Sequence, residues 1–189
     1  MNKLFEPNMF GRTTREGETW WRELFSRAED KEGAVFAQLH GVYTNGDLTS
    51  NYQGGQRTES FSGGYLYYKD DLNLIQKTTQ FKEENEARAC IPKIRIELKE
   101  KGLFIAFRIE AYSMKESMRA WELMKTELKN NLDVIENIPE NKILGKYIDK
   151  DILLAVSKNV ISSNILSILK EFEPLFEEWR KIWKNELSK

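Results

Sequence analysis

Glu97-Leu98-Lys99 has the E-x-K spacing of one half of a divalent-metal nuclease site. Such chemistry needs a second carboxylate, usually Asp, on a neighbouring strand to hold Mg²⁺ and position water. Asp47, Asp70 and Asp71 are candidates by residue type alone. Alternating charge on a solvated strand gives the same tripeptide, with Glu97 near Arg108 as a cross-strand pair. His40, the single histidine, leaves no histidine-rich metal site and no pair for an acid–base relay. Beside Gly41 it reads as a strand-end residue with a hydrogen bond, or as a lone base. Thiol catalysis would need Cys90, the single cysteine, beside His40 with an orienting amide, and nothing in the spacing suggests that. The chain has no Walker loop, dinucleotide-binding glycine fingerprint or cysteine cluster for zinc. No catalytic residue, metal ligand or cofactor is assigned, and the chain reads as a binding protein rather than an enzyme.

Binding chemistry concentrates in residues 40–69. Five of the seven tyrosines lie there (Tyr43, Tyr52, Tyr65, Tyr67 and Tyr68), interleaved with Asn45, Asn51, Gln53, Gln56, Arg57, Ser60 and Lys69. Tyrosine offers a flat apolar body with a polar tip, and amides and Arg add directional hydrogen bonds. The mixture suits stacking on bases or contact with a protein surface. The alternative is a long hairpin whose tyrosines cover the sheet. Residues 87–125 hold nine Lys and Arg against five acids, a local excess of four positive charges. Lys93, Arg95, Lys99 and Arg108 can share the solvated face of a hairpin, which beside a Tyr/Gly loop makes a nucleic-acid footprint. An ordinary solvated face would carry the same charges.

The elements that must position these residues follow from periodicity. Trp20, Trp21, Leu24, Phe25 and Ala28 make one stripe of a helix over 16–30, and Ala34–Leu39 reads as a short buried strand. Seven of the eleven glycines lie between Gly33 and Gly64, Asn45-Gly46 is a turn signal, and Tyr65–Tyr68 resumes a strand. Residues 71–86 are ambiguous: Leu72, Leu74 and Ile75 could extend the sheet, while 81–88 looks helical. Ile94, Ile96 and Leu98, then Leu103, Ile105, Phe107 and Ile109, alternate with polar residues around Lys101-Gly102. They predict a hairpin with one face on the core and one largely solvated. Ser113-Met114-Lys115-Glu116 has the form of a capping box opening a helix to about Asn130. Met114, Met118, Trp121, Leu128 and Leu132 share its buried face, with Met124 or Leu123 in the middle. Val134–Ile138 and Ile143–Ile148 predict two strands. Ile165, Leu169, Phe172, Phe176, Trp179, Trp183 and Leu187 predict a last helix that Pro174 should kink or split. That stripe fits the core better than a dimer seam. The expected fold is α+β: an antiparallel or mixed sheet on amphipathic helices around a single core, forming one domain over 1–189. A helix and Tyr/Gly-rich hairpin region (14–90) precedes a strand-helix-strand-strand-helix unit (91–187).

Composition bounds the rest. The chain has 189 residues, 29 Lys and Arg against 30 Asp and Glu, and 12% aromatic residues. That is enough apolar surface for one sizeable core despite 31% charged residues. A net charge of −1 excludes bulk charge as the force holding it to nucleic acid or membrane. No apolar run approaches the roughly 18 residues of a membrane span. A start lacking an apolar core and a lone cysteine point to the reducing cytoplasm. The sequence leaves the oligomeric state open.

Residues 92–185 resemble domains of unknown function attached to restriction systems and the N-terminal specificity domains of modification-dependent McrB-type restriction enzymes. The likeness lies in element order. It runs from the strand Leu103–Glu110 through the helix Met118–Leu128 and the strands around Ile135 and Ile143–Ile148 to the helix Ile165–Trp183. It implies a DNA-facing role in phage defence and assigns no site residue. The sequence therefore predicts a non-catalytic nucleic-acid-binding module of a bacterial or phage conflict system. Its contacts would be Tyr43, Tyr52, Gln53, Arg57, Lys69, Lys93, Arg95, Lys99 and Arg108. The rivals are a protein-binding adaptor or inhibitor using the Tyr-rich 40–69 loop, and a metal-dependent nuclease around Glu97 and Lys99.

Overall fold

The computed structural model describes residues 3–10, 24, 48–52, 63–110, 113–137 and 142–189. Apart from Leu24, which is helical and fully buried, the predicted 16–30 helix lies outside the described residues, as do Ala34–Leu39, His40, Tyr43, Asp47, Gln53 and Arg57. The expected packing of Trp20, Trp21 and Phe25 lies outside them too.

After a single 3-10 turn at Pro7–Met9, the chain forms β1 (Leu48–Tyr52) and β2 (Gly63–Tyr68), then α1 (Lys69–Thr78) and α2 (Glu84–Ala89). Next come β3 (Ile94–Lys99), β4 (Gly102–Phe107), α3 (Lys115–Asn131), β5 (Asp133–Asn137) and β6 (Lys142–Asp149). Two helices, α4 (Lys150–Ala155) and α5 (Lys158–Leu187), end it. The six strands form one sheet in the order β1-β2-β3-β4-β6-β5, and every pairing is antiparallel. The fold is α+β.

Period-two alternation puts Ile94, Ile96 and Leu98 with Leu103, Ile105 and Phe107 on one face, all fully buried. Helix α5 supplies the facing layer. Phe107 stacks on Phe172 at 4.9 Å, meets Trp179 edge-on at 6.0 Å, and Trp179 in turn touches Trp121 of α3 at 5.1 Å. The α5 stripe is therefore core. Lys99 faces Gly102 across a two-residue turn. Gly102 has φ +148, and a Cβ there would lie 2.1 Å from the Ile148 carbonyl oxygen. Only glycine fits that corner.

The ambiguity at the start of 71–86 resolves to helix over 69–78: Leu72 and Ile75 fall three apart on one buried face, as a helix requires. Two expectations are corrected. The capping box does not form, because Met114 is the N-cap of α3 with no side-chain cap bond, and Glu116 pairs with Arg119 at 3.3 Å instead. Pro174 does not split α5, which runs unbroken for 30 residues. Its ring sits on the exposed side, so the freed Lys170 carbonyl is lost to solvent rather than to the core, and buried aromatics on both sides hold the helix together.

Candidate functional site

The second face of the central sheet holds most of the predicted phosphate contacts, and it is not solvated. Arg95 faces Ala106 and Glu97 faces Phe104 across the β3–β4 pair, while Tyr65 of β2 faces Arg95 from the other side. Lys93 is 1% exposed, Arg95 9%, Glu97 4% and Glu110 7%. The expected solvated hairpin face is corrected: every residue of β4 and all of β3 except Lys99 are buried.

Charges on that face neutralise one another. Arg95 Nη2 lies 2.9 Å from Glu97 Oε1, and Arg108 Nη2 lies 3.3 Å from Glu110 Oε2. The Lys93 ammonium donates to the Arg88 carbonyl at 2.9 Å and sits 3.9 Å from Glu110. The Tyr65 hydroxyl donates to Glu110 at 3.5 Å, and its ring lies under both cations, 5.6 Å from Lys93 Nζ and 5.4 Å from Arg95 Cζ. Burial pushes the Lys93 ammonium down to about 8, against the opposing pull of Glu110. Burial likewise pushes the Tyr65 phenol up to about 12, and Glu110 adds to that. Lys99 is partly exposed with its ammonium 5.5 Å from the Phe104 ring, and the Arg108 side chain is 17% exposed. Of the four hairpin cations, these two are the more exposed, although Arg108 shares Glu110 with Lys93.

The nuclease constellation does not assemble among the described residues. Glu97 pairs with Arg95 rather than Arg108, and its partner on β2 is Gly63. Asp71 is fully buried against Arg180, on a different element pair. Asp70 is exposed and outside any cluster of three His, Cys, Asp or Glu side chains able to hold a metal. Cys90 is buried, its thiol pushed up by burial, with its carbonyl accepting from Ser117 Oγ at 2.5 Å.

The remaining described candidates are Tyr52 and Lys69. Tyr52 ends the edge strand β1, opposite Gly64, and residues 53–62, with Gln53 and Arg57, connect β1 to β2. Lys69 is the first residue of α1, at the other end of β2. Lys69 lies five residue steps beyond Gly64, so the Tyr52 and Lys69 backbones lie about 17 Å apart and form two contact points, not one. Sequence reasoning missed Glu110 and Tyr65 as members of the buried cluster. The available signal was charge of both signs at two-residue spacing in Lys93-x-Arg95-x-Glu97 and Arg108-x-Glu110.

Several surface cations outside that sheet face are also paired. Arg119 reaches Glu186 at 3.3 Å, Lys125 reaches Glu122 at 3.0 Å, Lys181 reaches Glu178 at 3.5 Å, and Lys146 binds Glu171. No described helix is long and apolar enough to cross a membrane. No protein-family model, curated protein or solved structure matches the chain.

Proposed function

We propose that the protein is a non-catalytic nucleic-acid-recognition module of a bacterial or phage conflict system, and that it reads its partner at the β1–β2 edge hairpin. One observation supports this above the others. The stretch richest in tyrosine, amide and Arg includes the sheet's edge strand, with Tyr52 its last residue and Gln53 and Arg57 following it in sequence before β2. Stacking on Tyr43 and Tyr52 supplies sequence-tolerant affinity, and Arg57, Lys69 and Lys99 supply phosphate contacts. Lys93 and Arg95 are structural, since a phosphate would have to displace Glu110, Glu97 and the Tyr65 ring to reach them.

The pairing of Arg119, Lys125, Lys146 and Lys181 with neighbouring carboxylates favours a second reading, a protein partner held by the same hairpin. Salt separates the two, because phosphate contacts release counterions and protein contacts release few. The test is fluorescence anisotropy with labelled single-stranded, duplex and methylated oligonucleotides at several salt concentrations. Tyr52→Ala should cost on the order of 1–3 kcal/mol with an unchanged salt slope. Arg57→Ala should lower that slope by roughly one. Failure of the wild-type protein to bind any oligonucleotide at low salt sinks the nucleic-acid reading and leaves the protein partner.

A further inference from the structure

The root of the edge hairpin is fastened to α5 by six side chains. Asp71, in the first turn of α1, is fully buried and accepts from Arg180 Nε at 2.6 Å and Nη2 at 3.0 Å. Lys184 Nζ lies 3.2 Å from the same carboxylate. Arg180 Nη1 donates to Glu177 at 3.0 and 3.2 Å, and the guanidinium carbon lies 3.5 Å from the centre of the Tyr68 ring. Both edges and one face of the guanidinium are thus engaged. Tyr68 also stacks on Phe176 with centroids 5.9 Å apart, and burial and a hydrogen bond to Glu177 push its phenol up.

The sheet alone leaves this corner weakly held. Strand β2 pairs with β3 only as far as Leu66, opposite Ile94. Beyond that, Tyr67 and Tyr68 pair with Thr49 and Leu48 of β1 on one side, and the chain enters α1 at once through Lys69. A buried ion pair is a poor source of net stability, because desolvation offsets its Coulomb gain, and its best-attested use is to fix register. A planar, fully engaged guanidinium linking residues 109 apart in sequence suits that use.

We infer that Arg180 is a positioning residue that fixes the β2–α1 junction, and with it Lys69, against α5. The recognition role of Lys69 rests on the function proposed above; the fixing of the junction does not. Two variants of the full chain test it. Arg180→Lys leaves Asp71 a cation but removes the fork and the ring contact. Asp71→Asn/Arg180→Gln removes both charges, so neither is left buried alone. Lys181→Met, whose residue pairs only with Glu178, is the control.

Native-state hydrogen exchange should rise at least tenfold at the amides of Leu48, Thr49 and 67–72 in both variants. Amides of 94–107 should stay within twofold of wild type, and the control should change neither. At a temperature where all the proteins are fully folded, oligonucleotide affinity should fall about tenfold and the salt slope should drop by roughly one, since the contact released is the phosphate contact of Lys69. Unchanged exchange at the junction overturns the inference. So does a rise that is uniform across the sheet and matched by a lower Tm, because Arg180 then only adds stability. Localised exchange in a protein that binds no oligonucleotide upholds the positioning and removes the nucleic-acid reading.

Discussion

Replacing Lys93 by Met should change how stability depends on pH. The Lys93 ammonium is 1% exposed and its pKa is pushed from 10.5 to about 8, chiefly by burial. The folded protein therefore binds this proton less tightly than the unfolded chain. Between pH 8 and 10.5 the unfolded chain carries more protons, so stability rises with pH across that window. One pKa unit is about 1.4 kcal/mol, so the buried ammonium costs about 3 kcal/mol below pH 8 and nothing above 10.5. Between pH 7 and 9.5 the wild-type protein should regain about 2 kcal/mol through this group. Tyr65, pushed up to about 12, acts in the opposite sense, but only above its ordinary value of 10, so measurement stops at 9.5. Cys90 also acts oppositely, its thiol raised by burial and lowered by the charge of Lys93, so both proteins carry Cys90→Ala, which removes that contribution.

Met keeps most of the volume of the stem, and Glu110 keeps Arg108 at 3.3 Å and the Tyr65 hydroxyl at 3.5 Å. The bond to the Arg88 carbonyl is lost at every pH, a constant offset of about 1–3 kcal/mol. The assay is urea unfolding of both proteins at pH 7, 8, 9 and 9.5. The stability of the Lys93 protein minus that of Lys93→Met should grow by about 2 kcal/mol across the series. Two parallel pH profiles would refute the reasoning, for they would mean that Lys93 holds its proton as firmly folded as unfolded.

Three further outcomes follow from packing and are checked by denaturant midpoints. Gly145→Ala should destabilise by about 3 kcal/mol or prevent folding, since a Cβ would lie 2.2 Å from the Ile105 carbonyl oxygen and force β4 and β6 apart. Ser117→Ala should cost about 2–3 kcal/mol, because its hydroxyl donates to the Cys90 carbonyl and accepts from Trp183 Nε1 at 3.0 Å, and both partners are buried. Ser113→Ala should change stability by less than about 0.5 kcal/mol, because Ser113 precedes the N-cap of α3 and caps nothing.

Much of the fold was legible because its periodicities are strong. Ile94, Ile96 and Leu98 alternate cleanly, as do Leu103, Ile105 and Phe107, and the α5 stripe repeats at three and four residues from Ile165 to Trp183. A local pattern cannot show what lies opposite a face. The alternation at Lys93, Arg95 and Glu97 marks a polar side of β3. Whether that side meets water or more protein depends on whether each charge finds a partner from another element. Pro174 taught the same lesson: its rule concerns one hydrogen bond, and whether losing that bond breaks a helix depends on which side of it faces water. The Asp71–Arg180 clamp spans 109 residues and leaves no trace in any short window.

The stretch that looked most functional divides for the same reason. Tyr65 and Tyr67 are 6% and 2% exposed, and Tyr68 is held between Arg180 and Phe176. Those three do cover the sheet, as the plain hairpin reading held. Tyrosine is a good residue for that duty where a cation must be kept inside: its ring lies under Lys93 and Arg95 while its hydroxyl reaches Glu110. What composition alone presents as one tyrosine-rich surface is therefore a core half at β2 and an edge half at β1 and its connection. Recognition is proposed for the edge half, and substitutions there, from Tyr52 to Arg57, are the ones that test it.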